Sequence, residues 1–207
     1  MTPLELAQQG PVIPVIVIQR LADAVPLARA LVAGGVRVLE VTLRTPVALA
    51  AMAQIAAEVP EAIVGAGTVR SAADAEAAAR AGCRFAVSPG YLPGIGQACR
   101  SLGLPLLPGV ATASEVMAAH GDGHELLKFF PATAAGGIPM LKALAGPFPD
   151  VLFCPTGGIT VETAPQFLAL PNVRVCGGSW LTPQALIDKG DWAGITRLAQ
   201  EASQLKR

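Results

Sequence analysis

Eight times along the chain, a short run rich in Val, Ile and Leu is followed by a longer Ala-rich stretch. This alternation limits the fold more than any other feature of the sequence. The apolar runs predict strands at residues 12–18, 36–43, 62–66, 84–87, 105–107, 125–130, 151–154 and 173–176. Helices are expected at 23–33, 46–58, 72–81, 92–102, 113–119, 138–145, 161–170 and 183–189, with a closing helix at 192–205. Punctuation supports several of these boundaries: Gly34-Gly35 stops the first helix, and Ser71 is placed to cap the third. Strands apolar on both faces need cover on both faces, which means a parallel sheet flanked by helices. A single (β/α)8 TIM barrel removes the sheet edges and matches the count of eight; an open doubly wound sheet is the alternative. No linker or low-complexity stretch divides the chain, so residues 1–207 are expected to form one domain.

Composition narrows the function classes. The chain has 207 residues, 52% of them hydrophobic and 14% charged, with 15 basic and 15 acidic side chains. That balance argues against disorder, and the lack of a basic cluster argues against a nucleic-acid partner. The longest strongly apolar run, residues 11–18, is far shorter than the roughly 20 residues of a spanning helix, so no membrane association is expected. The start Met-Thr-Pro-Leu-Glu lacks the basic region and cleavage site of a secretion signal. Cys83, Cys99, Cys154 and Cys176 form no C-x-x-C pair and read as free buried thiols. A cytoplasmic location is expected.

In a barrel the chemistry belongs at the carboxyl ends of the strands, and two charges there are conspicuous. Glu40 lies within Val38-Leu39-Glu40-Val41-Thr42-Leu43-Arg44, where alternation puts Glu40, Thr42 and Arg44 on one face if the strand persists that far. A carboxylate among so many apolar neighbours is paired, protonated or functional, and a structural Glu40–Arg44 ion pair is one reading. Lys128, in Leu126-Leu127-Lys128-Phe129-Phe130-Pro131, is the one lysine of four set in an apolar strand; Lys142, Lys189 and Lys206 lie on helical or terminal stretches. Burial disfavours the charged form of an amine, and a free amine attacks carbonyls to form a Schiff base. A snorkelling or ion-paired lysine is the structural alternative.

Glycine-rich corners follow the last two strands: Pro155-Thr156-Gly157-Gly158-Ile159 and Gly177-Gly178-Ser179-Trp180. Two such corners in the loops after strands 7 and 8 suggest a phosphate site. Gly65-Ala66-Gly67-Thr68 and Ser88-Pro89-Gly90 read as narrower loops that decide nothing alone. His120 and His124 are four residues apart, but glycines break any helix between them and they precede a strand, so no metal site is expected.

Taken in order, Glu40-Val41-Thr42-Leu43-Arg44-Thr45, Gly65-Ala66-Gly67-Thr68-Val69, Ser88-Pro89-Gly90, Lys128-Phe129-Phe130-Pro131-Ala132, Pro155-Thr156-Gly157-Gly158-Ile159 and Gly177-Gly178-Ser179-Trp180 resemble the KDPG/KHG aldolases over residues 10–190. These class I aldolases act on 2-keto-3-deoxy-6-phosphogluconate or 4-hydroxy-2-oxoglutarate. The resemblance implies a lyase that makes pyruvate and glyceraldehyde 3-phosphate from the former, or pyruvate and glyoxylate from the latter. It implies Lys128 as imine-forming nucleophile and Glu40 as general base and acid. Arg44 and Thr68 would hold the pyruvyl carboxylate, with Pro89, Phe130 and Thr156 around the pocket. Gly157, Gly158, Gly178 and Ser179 would cradle the phosphate. No cofactor or metal is needed, since a protonated imine is itself the electron sink, and a homotrimer is implied. The alternatives are a phosphogalactonate-specific aldolase of the same mechanism, a metal-dependent barrel enzyme and a non-catalytic phosphometabolite-binding barrel.

Overall fold

The computed structural model describes residues 1–206. It opens with an unforeseen helix, α1 (Pro3–Gln8), whose start is sealed reciprocally: Glu5 N–H donates to Thr2 Oγ1, and Thr2 N–H donates to Glu5 Oε2. Strands and helices then alternate. The strands are β1 (Val12–Ile16), β2 (Val38–Thr42), β3 (Ile63–Gly67), β4 (Ala86–Val87), β5 (Leu106–Leu107), β6 (Gly109–Val110), β7 (Leu126–Phe129), β8 (Leu152–Pro155) and β9 (Cys176–Gly178). The helices after α1 are α2 (Ala24–Ala33), α3 (Ala48–Glu58), α4 (Ala72–Arg80), α5 (Pro93–Ser101), α6 (Ala113–Gly121), α7 (Gly137–Ala145), α8 (Ala164–Leu168), α9 (Gln184–Lys189) and α10 (Trp192–Ser203).

Every ladder is parallel. One curled sheet runs β5-β4-β3-β2-β1-β9, and a second runs β6-β7-β8. Isolated bridges, Phe153 with Val173 and Thr156 with Gly177, connect β8 to the segment carrying β9. At the other junction the expected fifth strand forms as β5, and past Pro108, which has no N–H to donate to a ladder, an unforeseen strand β6 begins the second sheet. The Pro108 carbonyl still accepts from Lys128 N–H at 2.8 Å. The expected α/β architecture with parallel strands is present, with its regular ladders divided between two sheets instead of running through one ring.

Several boundaries differ from the sequence expectation for local reasons. The eighth helix begins at Ala164, three residues late, because Thr160 N–H is tied to Thr163 Oγ1 in a turn at 2.9 Å. The last strand forms at Cys176–Gly178 and leaves Val173 as a lone bridge; Gly177 and Gly178, expected in a loop, pair with Ile13 and Pro14 of β1. Gly67 likewise extends β3 beyond the expected strand 62–66, in which Gly65 lies as expected. Gly34 and Gly35 do end α2: a side chain at Gly34 would meet the Thr196 carbonyl of α10 at 2.7 Å, and Gly35 has φ 88°. Ser71 caps α4 by accepting from Asp74 N–H at 3.1 Å.

Leu6 and Ala7 of α1 pack with Ile13, Val38, Ile63, Phe85 and Leu126. Three of these strand residues are the first of their strands, so α1 covers the amino end of the sheet interior. The larger apolar cluster lies between β1–β3 and α2, α3, α4 and α10, and another joins β7 and β8 to α6, α7 and α8. All four cysteines are free and buried, as expected. Burial pushes the thiols of Cys83 and Cys154 up to about 12, far from thiolate character.

Neither histidine belongs to a metal-binding group of three or more His, Cys, Asp or Glu side chains among the described residues. His120 pairs with Asp150 at 3.0 Å. His124 stands edge-on to Tyr91, whose hydroxyl donates to the Asp122 carboxylate. Burial holds the His124 imidazole below its ordinary value, Arg100 pushes the same way and Asp122 opposes both. The folded state therefore prefers the neutral ring, and its contribution is complete above the unfolded value of about 6.5. Thermal unfolding across pH should show the midpoint falling as pH drops below that value, with a shallower fall in His124→Gln. Equal slopes in the two proteins would remove His124 as the cause.

Candidate active site

Two buried charges meet at the carboxyl half of the strands. Glu40 stands at the middle of β2, in register with Val15 of β1 and Gly65 of β3, and is 2% exposed. Lys128 stands on β7, in register with Gly109 of β6 and Cys154 of β8, and is 4% exposed. Lys128 Nζ donates to Glu40 Oε1 at 3.0 Å across 88 positions of sequence. The structure thus joins Glu40 to Lys128; Arg44 forms a different contact. Lys128 Nζ also lies 5.3 Å from the centroid of the Phe130 ring. Lys142, Lys189 and Lys206 are exposed, leaving Lys128 as the one buried lysine among the described residues.

The extended conformation does not persist to Arg44, because β2 ends at Thr42 and the chain turns at Leu43. Thr42 donates its hydroxyl to the Ile16 carbonyl at 3.0 Å, a structural bond. Arg44 is exposed, and its Nε donates to Thr68 Oγ1 at 3.1 Å. Thr68 adopts φ 64°, the left-handed region that a β-branched residue seldom enters. That conformation is held where its hydroxyl meets the guanidinium.

A cavity of about 280 Å³ opens in front of the lysine. Lys128, Arg44, Phe130, Thr156, Gly157, Gly158, Gly178 and Ser179 line it, eight of the eleven residues expected at a site. Of the other three, Glu40 stands on the lysine, Thr68 on the arginine, and Pro89 lies against Gly109, the β6 partner of Lys128. Ile159 and Gly177, from the two glycine-rich corners, also line the cavity, as do Val15 and Val17, which were not foreseen. An apolar residue in an apolar strand carries no sequence signal of such a role. Phe85 is fully buried, and its ring occupies the place a side chain at Gly65 would take.

The Gly157–Gly158 corner has both residues at positive φ, 102° and 74°. Gly157, Gly158 and Ser179 all line the cavity. Backbone N–H groups at such a glycine corner can form an anion-binding concavity. Thr156 Oγ1 donates to the Cys154 carbonyl at 3.3 Å, between this corner and the lysine. The arrangement can therefore do three things. An amine can attack a carbonyl beside a carboxylate within proton-transfer distance. An arginine fork can hold a substrate carboxylate. A glycine corner can hold an anion at the far end.

Comparison with known proteins gives one consistent family. The family model "KDPG and KHG aldolase" matches residues 5–198. The chain is 50% identical over 198 residues to a 2-dehydro-3-deoxy-phosphogluconate aldolase of Pseudoalteromonas atlantica, covering 96% of this chain and 92% of that one. It is 52% identical over 193 residues to the KHG/KDPG aldolase of Escherichia coli K12, covering 93% and 91%. A crystal structure of KDPG aldolase from Legionella pneumophila, with pyruvate captured as a covalent carbinolamine, superposes with a TM-score of 0.96 at 49% identity, covering 99% of each chain.

Proposed function

Because the chain belongs to the KDPG and KHG aldolase family, we propose that it cleaves 2-keto-3-deoxy-6-phosphogluconate to pyruvate and glyceraldehyde 3-phosphate through an imine on Lys128. It is a Schiff-base carbon–carbon lyase. The observation that carries the residue assignment is the buried Lys128–Glu40 contact at 3.0 Å, opening onto a cavity with an anion-binding corner.

In this reading Glu40 takes a proton from the Lys128 ammonium, and the freed amine adds to the C2 ketone. Glu40 returns that proton to the carbinolamine hydroxyl, which leaves as water and gives a protonated imine. Glu40, through a water, then removes the C4 hydroxyl proton. The C3–C4 bond breaks, its electrons enter the imine as an enamine, and the aldehyde departs. Glu40 returns the proton to C3, and water hydrolyses the pyruvate imine. Arg44, held by Thr68, pairs with the C1 carboxylate, because its fork matches two carboxylate oxygens. Phe130, Pro89 and Thr156 shape the pocket, and Gly157, Gly158, Gly178 and Ser179 receive the phosphate.

The double name of the Escherichia coli relative supports 4-hydroxy-2-oxoglutarate as a second substrate. That molecule is too short to carry a group into the glycine corner, and this separates the two reactions. Ser179→Ala should raise KM for the phosphorylated substrate about tenfold, the loss of one hydrogen bond to a charged group, and change KM for 4-hydroxy-2-oxoglutarate little. Equal rises in steady-state assays would take the phosphate away from Ser179.

The proposal extends to architecture and setting: one domain closed as an eight-strand barrel, working in the cytoplasm as a homotrimer. No helix of the described residues is long and apolar enough to cross a membrane. Exposed Leu92 and Met117 supply apolar surface for association. Sedimentation as a monomer would overturn the trimer. The assignment of Lys128 is tested by borohydride reduction in the presence of pyruvate, followed by peptide mass spectrometry. A reduced adduct on Lys128 is expected; a folded protein without one would overturn the mechanism.

A further inference from the structure

We propose that Gly67 is a positioning residue for the Glu40 carboxylate, the missing side chain on β3 being what lets Glu40 reach Lys128. The inference rests on the reading of Glu40 as the proton-transfer group and adds the element that fixes its place. Gly67 closes β3, paired with Thr42 of β2, two positions beyond Gly65, the partner of Glu40. Its φ is not positive, so the backbone there accepts any residue, and its lack of a side chain needs another reason.

The surroundings supply that reason. A Cβ built on Gly67 would overlap Glu40 Oε1 and lie 2.7 Å from Glu40 Cγ and 3.0 Å from Cδ; its three nearest atoms all belong to Glu40. Oε1 is the oxygen that accepts from Lys128 Nζ. A methyl group would therefore strike one side chain at the atom that faces the lysine. Because a side chain can rotate away where a backbone cannot, the fold should survive while the carboxylate moves. The neighbouring Gly65 is different: a side chain there would strike the Phe85 ring, which is packing.

The test separates imine formation from proton transfer at C3. Gly67→Ala should still yield a borohydride-reduced pyruvate adduct on Lys128, and its thermal midpoint should stay near that of the parent. Exchange of the pyruvate C3 protons with deuterated water should slow about 100-fold, the scale of a misplacement by about 1 Å. Glu40→Ala removes every atom the new methyl would meet, since the three nearest are Glu40 Oε1, Cγ and Cδ. Adding Gly67→Ala to Glu40→Ala should then cost little of the residual exchange.

Unchanged exchange in Gly67→Ala would overturn the proposal. So would an equal fractional loss in both backgrounds, since the effect would then not pass through Glu40. Should Gly67→Ala not fold, the comparison of Glu40→Ala with and without it still decides: equal residual exchange rates support the proposal and a further tenfold loss overturns it. Failure of the underlying reading shows elsewhere, as full turnover by Glu40→Gln.

Discussion

Lys128→Ala is expected to lose both cleavage and the reducible pyruvate adduct, with kcat/KM falling by about four orders of magnitude or more, as when a covalent nucleophile is removed from an enzyme. No other lysine can substitute, because Lys142, Lys189 and Lys206 are exposed on helices or at the chain end. The substitution also leaves Glu40 buried opposite no cation. Breaking one side of a buried ion pair destabilises a fold by about 3–5 kcal/mol. The parent and variant should therefore differ in unfolding midpoint as well as rate. Lys128→Met combined with Glu40→Gln removes both charges and should recover most of that stability with no recovery of activity. Residual adduct in Lys128→Ala, located by peptide mass, would move the nucleophile to another residue.

Glu40→Gln should separate the steps that Lys128→Ala abolishes together. Glutamine is nearly isosteric and can still meet Lys128 Nζ through its amide oxygen, so the amine stays in place. It cannot accept and return a proton. Adduct formation is expected to persist at a reduced rate, while turnover and C3-proton exchange of pyruvate fall about 100- to 10,000-fold, the range for a lost general base. Full turnover in this variant would refute the assignment of the base. Loss of the adduct with turnover reduced in proportion would instead make Glu40 necessary for imine formation alone.

The two charges central to these experiments were legible because each interrupts an apolar strand, where a charge is conspicuous. Their contact was not, since nothing local links β2 to β7 across 88 positions. Arg44 was assigned to one face with Glu40 by alternation, yet the chain turns at Leu43 and Arg44 reaches the cavity from that turn. Three glycines fall beyond the strand ends that periodicity predicts, Gly67, Gly177 and Gly178, because glycine is depleted in strands. They and Gly65, inside the expected third strand, are strand residues, and the missing side chains of Gly65, Gly67, Gly177 and Gly178 make room for Phe85, Glu40, Thr156 and Trp180 respectively. The eightfold alternation gave the parallel α/β architecture, while Pro108 and the lone Phe153–Val173 and Thr156–Gly177 bridges, which mark where the ladders break, left no periodic trace.

The covering of the amino end by α1 has a consequence for traffic. With Leu6, Ala7 and Phe85 packed together on that side, the cavity in front of Lys128 opens at the opposite, carboxyl edge. In the proposed reaction, cleavage leaves an inner fragment tethered to Lys128 and an outer fragment nearer that opening. The tethered fragment stays until water reaches the imine, and that water must enter by the passage the outer fragment has vacated. The aldehyde is first to leave and pyruvate last, and in the direction of synthesis pyruvate must enter before its partner. A sequence of events in time is thus written into which end of the sheet is shut.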